Sequence, residues 1–330
     1  MNQHPKSNDT FNPLSEEELL KWVKKLNSKY ASTGQDITSY LEGLYHQDFL
    51  NYWDYIHLDT LLTLQQPRTT FPDEEIFIIY HQITELYFKL CLNEIKQIIS
   101  LRERIEAKEF IERLTRMNRY FGALTHSFSI MVDGMQPAQF LKFRMSLLPA
   151  SGFQSVQYRL IELAATHLDN LLDKSLRDEP GQKSIEEKME RLYWKKGAIE
   201  LATGEKTLTL KRFEEKYSET MLNWAKQRVH DNIAMLYPKV TGYNEYKNEI
   251  HAALRLFDQQ VNVSWPLAHY KSAVRYLNRK PEDIAATGGT NWQQYLPPRF
   301  QKRIFYPELW SEQEREEWGK KWVEDTLSGK

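Results

Sequence analysis

A chain of 330 residues, 41% hydrophobic and 13% aromatic, holds enough apolar material for a substantial core and argues against disorder of the whole. Its 44 basic and 45 acidic residues leave a formal charge of −1, so no surplus of positive charge draws it to nucleic acid or anionic lipid. Cys91 is the single cysteine, which excludes an intrachain disulfide, a thiolate-based zinc or iron–sulfur site and a CxxCH attachment.

Residues 1–14, with Asn, Gln, Pro, Ser and Asp, read as a flexible arm. That start lacks the apolar stretch of a secretory signal, and no run approaches the ~18 apolar residues of a membrane span; a cytoplasmic protein without a membrane partner is expected. Ser15-x-x-Glu18 makes a capping box ahead of Leu19, Leu20, Val23 and Leu26 at helical spacing. A segment rich in Tyr and Asp runs to Asp59, and Pro67 and Pro72 punctuate the chain after it. Asp73, Glu74 and Glu75 then crowd a helix start, where negative charge is favoured. The helix that begins there runs beyond Ile99 and is apolar on more than one face, as suits the middle of a bundle.

Further helices are expected over Glu109–Val132, ended by Asp133-Gly134, and from Ser151 through Leu172. Others are expected over Ser184–Ala202, Phe213–Leu236, Tyr246–Phe257 and Pro266–Leu277, the last beginning with proline in its first turn. Thr287-Gly288-Gly289-Thr290 is the most permissive loop, and Ser311–Leu327 reads as a charged amphipathic helix. Only Thr207–Leu210 hints at a strand. With 13 glycines, 13 prolines and no clear linker, the pattern predicts one all-α domain, a large helical bundle over residues 15–330.

Nine histidines are present, with no HExxH or HxH pair and no paired-carboxylate iron signature, so a two-histidine zinc site is not expected. His81 stands apart on the most apolar helix, sharing a stripe with Phe77 and Glu85. It is either a core histidine satisfied by a neighbour or a pocket histidine that bonds a ligand. His269, in Trp265-Pro-Leu-Ala-His-Tyr270, is either structural or a neutral imidazole suited to a haem iron. In the run Phe143–Arg159, Ser151-Gly152-Phe153-Gln154-Ser155 places small residues at a helix start. Arg144 precedes it in an apolar context and calls for an anionic partner, either an internal Asp or Glu or a ligand carboxylate.

Pro149-Ala-Ser-Gly-Phe-Gln-Ser-Val-Gln-Tyr-Arg159 resembles the signature of the tryptophan 2,3-dioxygenase family. Phe77-Ile-Ile-Tyr-His81-Gln-Ile-Thr-Glu85-Leu resembles that family's distal-histidine helix, and the Tyr52, Tyr55, Leu58-Asp59 segment its substrate-side N-terminal part. The His269 helix, Thr287-Gly288-Gly289 and Phe305-Tyr-Pro-Glu-Leu309 recur in the same order, over about residues 50 to 310. The resemblance implies an all-α homotetramer with one non-covalent haem b per chain. It makes His269 the axial iron ligand and His81 the distal catalytic group that hydrogen-bonds the indole N–H. It puts Arg144 on the substrate carboxylate, Thr287 on its ammonium or carboxylate, and Phe77 and Tyr55 along the indole. Tyr52 would come from a neighbouring subunit, Ser151 would sit by the haem and its propionates, and Gly152 would sit by the haem. Phe140 stands where the family commonly has a carboxylate-contacting tyrosine, and Tyr80 where it commonly has glutamine. The family's Gly-Thr-Gly-Gly-Ser loop reads Ala286-Thr-Gly-Gly-Thr290 here. The implied reaction cleaves the C2–C3 bond of L-tryptophan with O2 to N-formylkynurenine, the first step of the kynurenine pathway. The alternatives are a related haem hydroxylase acting on another indole or a tyrosine derivative, and a helical haem sensor without turnover.

Overall fold

A computed structural model of the chain describes residues 15–34, 36–177, 183–200, 203–242, 245–277 and 298–320. Helices dominate them, and the only β pairings among these residues are two isolated bridges, Leu172 with Leu192 and Ile199 with Lys206. The fold is all-α. Its contacts gather into two compact units, Met1–Leu64 and Gln65–Lys330, at a boundary that no linker signal in the sequence marks.

The N-terminal unit carries α1 (Glu16–Tyr30) and α2 (Ile37–His46). The capping box forms as the spacing predicts: Ser15 Oγ accepts from Glu18 N at 3.2 Å, and the Glu18 carboxylate accepts from Ser15 N at 3.3 Å. Gly34 closes the turn after α1 at φ 73, a left-handed conformation that favours glycine. Tyr30 stacks on Tyr40 with centroids 4.0 Å apart. Short helices Tyr52–Tyr55 and Leu58–Leu61 complete the unit's regular structure. None of the described residues of this unit is buried.

The second unit is built round α3 (Asp73–Leu101), which packs against α4 (Ala107–Ser127) and α6 (Val156–Ala165). α5 (Pro137–Phe143) lies between α4 and α6 in the chain. α7 (Leu208–Arg228) packs on α6, α8 (Ile233–Thr241) comes next, and α9 (Lys247–Gln259) packs on α4. α9 runs through a π-turn, Gln260–Ser264, into α10 (Trp265–Leu277). Phe88, Ile95, Phe121, Ile161 and Phe257 are among the side chains sealed in the core. Each contributes about 1.5–3 kcal/mol by leaving water. The face of α3 through Phe88, Cys91, Leu92, Ile95 and Ile98 is buried, while Ile79, Ile83, Leu86 and Leu90 stay exposed in the single chain.

Several helix limits differ from the periodicity, each for a local reason. The Glu109–Val132 helix is interrupted at Phe128, after which Ser129–Asp133 makes a separate turn. Only Val156–Ala165 of Ser151–Leu172 is α-helix, because Ser151 and Ser155 each cap a new start. The described part of Ser184–Ala202 resolves into Ile185–Glu190 and Tyr193–Lys196, and residues 201–202 lie outside the described residues. Asn232 caps a fresh helix and so splits Phe213–Leu236. Thr207 is a helix cap, its hydroxyl accepting from Leu210 N at 3.3 Å, so Thr207–Leu210 is no strand. The tail shows Glu312–Glu316 as helix; the rest of Ser311–Leu327 lies partly outside the described residues. No helix among the described residues is long and apolar enough to cross a membrane.

Candidate active site

A cavity of about 330 Å³ lies in the second unit, lined by residues of α3, α5, α6 and α10 and of the turns between them. It brings together Phe77, His81, Phe140, Arg144, Ser151, Gly152 and His269. Tyr52 and Tyr55 lie on a short helix of the N-terminal unit with both rings exposed. Thr287 and its loop fall outside the described residues.

His81 and His269 are held in the same way. His81 Nδ1 is 2.7 Å from the Phe77 carbonyl, and His269 Nδ1 is 3.0 Å from the Trp265 carbonyl. A carbonyl oxygen only accepts, so each Nδ1 carries the proton and, in the neutral ring, Nε2 keeps a lone pair. Removal from water pushes His81 below the usual histidine range, against the Phe77 carbonyl and Glu85, which favour its charged form. The same desolvation, helped by repulsion from His81, brings His269 down to about 4. Both rings are therefore neutral near pH 7, and His269 is able to ligate a metal through Nε2. Among the described residues, no group of three or more His, Cys, Asp or Glu side chains is placed to hold a metal ion. A metal already carried in a macrocycle needs only the single imidazole.

The π-turn explains how α10 presents His269. Pro266 offers no N–H to the backbone of that turn, and the Val261 carbonyl accepts instead from the Tyr158 hydroxyl at 3.0 Å. The helix therefore does not begin at Pro266, as its first-turn proline suggests, but runs on from α9. Asp258, sealed at the end of α9, fixes the next segment. Its carboxylate accepts from Phe305 N, Tyr306 N, Trp310 Nε1 and Asn262 Nδ2 at 2.7–3.2 Å.

Aromatic rings form the walls. Phe128 and Trp265 each lie 4.4 Å from the His269 ring, centroid to centroid, and Phe88 meets Trp265 edge-on at 5.9 Å. Phe77 lies 4.1 Å from the His81 ring and 6.3 Å from Phe140. Arg144, on the turn Arg144–Leu147 after α5, is buried, and loss of water lowers its guanidinium from the usual value. Ser151 Oγ accepts from Phe153 N at 3.3 Å, which shapes the turn before α6. Gly152 sits so close to His81 that a Cβ there would stand 3.7 Å from Nε2. Tyr80, next to His81, also lines the cavity, and its hydroxyl donates to the Leu124 carbonyl at 3.1 Å.

Sequence reasoning missed a second set of cavity residues: Arg159, Tyr193, Trp194 and Arg303. Arg159 and Glu162, at i,i+3 on the nearly all-buried α6, were a signal that a paired charge lay inside. Nothing local could say that Tyr193 and Arg303 would join them.

The tryptophan 2,3-dioxygenase family model matches residues 44–171. The tryptophan 2,3-dioxygenase of a Ruegeria species is 30% identical over 266 residues, covering 80% of this chain and 92% of that protein. That of Exiguobacterium sibiricum is 30% identical over 273 residues, 79% and 91% of the two chains. The Kineococcus radiotolerans protein of the same name is 28% identical over 294 residues, 85% and 97% of the two. With relatives 30% identical over about four fifths of its length, this chain belongs to the tryptophan 2,3-dioxygenase family.

Proposed function

We propose that the chain is a haem-dependent dioxygenase that opens the indole C2–C3 bond of L-tryptophan with O2 to give N-formylkynurenine, the entry to tryptophan degradation by the kynurenine pathway. One observation supports this most: two neutral histidines with free Nε2 lone pairs line a single aromatic cavity that also holds a buried arginine. The donor set fits haem b, since one neutral imidazole on a helix beside an apolar wall suits a porphyrin iron. His269 Nε2 would hold the iron, and Ser151 and Gly152 would lie beside the macrocycle. A bound ferrous haem supplies the activation of O2.

The protein's share is placement and exclusion of water. His81 Nε2, lacking a proton, accepts the indole N–H; orienting that bond suffices, and no proton need be removed. Arg144 receives the substrate carboxylate through two parallel hydrogen bonds, which its planar fork permits. Phe77 and Phe140 flank the indole, and Thr287 meets the ammonium or carboxylate. Tyr55 lines the indole, and Tyr52 comes from a neighbouring subunit in a homotetramer. The unburied N-terminal unit and the exposed α3 stripe of Ile79, Ile83, Leu86 and Leu90 support such an assembly. The reading places the enzyme in the cytoplasm, where the buried Cys91 stays a free thiol.

The test is the reduced, haem-loaded protein with L-tryptophan and labelled O2. Two labelled oxygens in N-formylkynurenine are expected. One labelled oxygen in a hydroxylated indole would mean a hydroxylase, and no oxygen uptake would mean a haem protein without turnover.

A further inference from the structure

We propose that Arg159 and Arg303 form a carboxylate-binding wall of the cavity, separate from Arg144, that receives the haem propionates; the proposal rests on the haem reading above. Both side chains line the cavity and both are buried. They share one carboxylate. Arg159 Nη1 lies 2.9 Å from Glu162 Oε2, and Arg303 Nη1 lies 2.6 Å from Glu162 Oε1. The Tyr193 hydroxyl donates to the same Oε1 at 2.6 Å and accepts from Arg159 Nη1 at 2.9 Å. Arg303 Nη2 reaches the Tyr158 hydroxyl at 3.3 Å.

Two guanidinium cations against one carboxylate leave this cluster with one positive charge out of water. A buried cation without its counter-ion is costly. Arg159 Nε is also buried and has no hydrogen-bond partner. The cluster borders the cavity, so an anionic acceptor there would answer its surplus charge. The nearby carboxylate of Glu85 is engaged by Gln157 Nε2 at 2.8 Å.

The ligand chemistry is a carboxylate, and two sources offer one. Tryptophan brings a single carboxylate and haem b brings two. Arg144 follows Phe143 on the turn after α5, and the Phe143 ring lies 5.9 Å from Phe77. Arg159 sits among different rings, with Trp194 at 4.9 Å and Phe153 at 5.5 Å. Two buried arginine sites on different elements match a cavity that takes two kinds of carboxylate at once, and the wall with the surplus charge suits the dianionic ligand.

The test titrates the haem-free full chain with haem and with haem dimethyl ester, whose propionates are uncharged, using the Soret band as the readout. The parent protein should prefer haem by at least about tenfold, the scale of one charge-assisted bond. Arg159→Gln should remove most of that preference, and Arg159→Lys should restore part of it. In the haem-loaded protein, the tryptophan Kd read from the Soret shift should rise with Arg144→Ala and move much less with Arg159→Gln. Equal binding of acid and diester by the parent overturns the wall and leaves the haem reading standing. So does an Arg159→Gln protein that loses tryptophan affinity but keeps its preference for the acid. If neither form gives a histidine-ligated spectrum, the haem reading and the wall fall together. The parent comparison needs no substitution and so does not depend on a variant folding.

Discussion

The helices that carry His81 and His269 make the same local device and support it differently. Each bonds Nδ1 to the carbonyl four residues back and leaves Nε2 to the cavity. α3 is regular over 29 residues, and its start is fixed by Glu74, which accepts from Arg68 N and Thr69 N at 2.8 Å. α10 is preceded by a π-turn, and the chain beyond it is tied down through Asp258. Burial favours the neutral ring in both, and brings His269 down to about 4. Identical side-chain chemistry therefore does not assign the roles. An iron ligand needs a fixed neutral imidazole against an apolar wall, and the Phe128–Trp265 surround of His269 supplies one.

The sharpest break of that symmetry is His269→Ala. It should abolish activity and lose most bound haem, read by haem content per chain and the five-coordinate spectrum. Full retention of both would move the ligand to another residue. The support of α10 is tested by Asp258→Asn. An amide would turn an NH2 towards two of the four donors now served by a carboxylate, so about 3 kcal/mol of folding stability should go. A melting temperature that does not move would mean the four bonds are not what holds the segment.

Arg144 adds the substrate to the comparison. Losing a charge-assisted bond of ~1.5–3 kcal/mol, Arg144→Ala should lower kcat/KM for tryptophan at least about tenfold, and Arg144→Lys less. Tryptamine, without a carboxylate, should be a poor substrate of the parent and little affected by the change. An equal loss for both substrates, with haem retained, would make Arg144 structural. His81→Ala should keep haem and lose activity only in part, since a neutral hydrogen bond is worth ~0.5–1.5 kcal/mol. Haem lost with His81 but kept without His269 would reverse the two assignments.

How much of this was legible depends on how local its cause is. The α3 start, the four-residue capping boxes and the all-α class rest on near neighbours, and the sequence shows them. The split of Phe213–Leu236 turns on Asn232, a cap whose signal is weaker than the hydrophobic period running past it. The π-turn carries no residue type of its own, so the continuous run from α9 to α10 reads as two helices in the sequence. In the site, the motif residues around His81, Arg144 and His269 stand out because each is polar in an apolar run. Arg303 joins Glu162 across the fold, with only Ile304-Phe305-Tyr306 beside it to hint at burial. Long-range partners of this kind have no sequence period to betray them.

The smallest expected effect tests which side of His81 is used. A methyl at Gly152 would stand 3.7 Å from His81 Nε2, ordinary contact that forces nothing to move. Gly152→Ala should therefore fold and bind haem like the parent. It would, however, crowd the space beside the lone pair proposed to receive the indole N–H. Crowding by one extra methyl costs ~1 kcal/mol at the low end, so a rise of about fivefold in the KM for tryptophan is expected, with kcat nearly constant. The control is the same substitution in His81→Ala. If Gly152→Ala acts by crowding Nε2, it should have little effect once the imidazole is gone, and the two changes should fail to add. If they add, Gly152 touches the ligand on its own account. If the single change leaves KM where it was, the indole approaches Nε2 from the opposite side, and Gly152 belongs with the macrocycle rather than with the substrate.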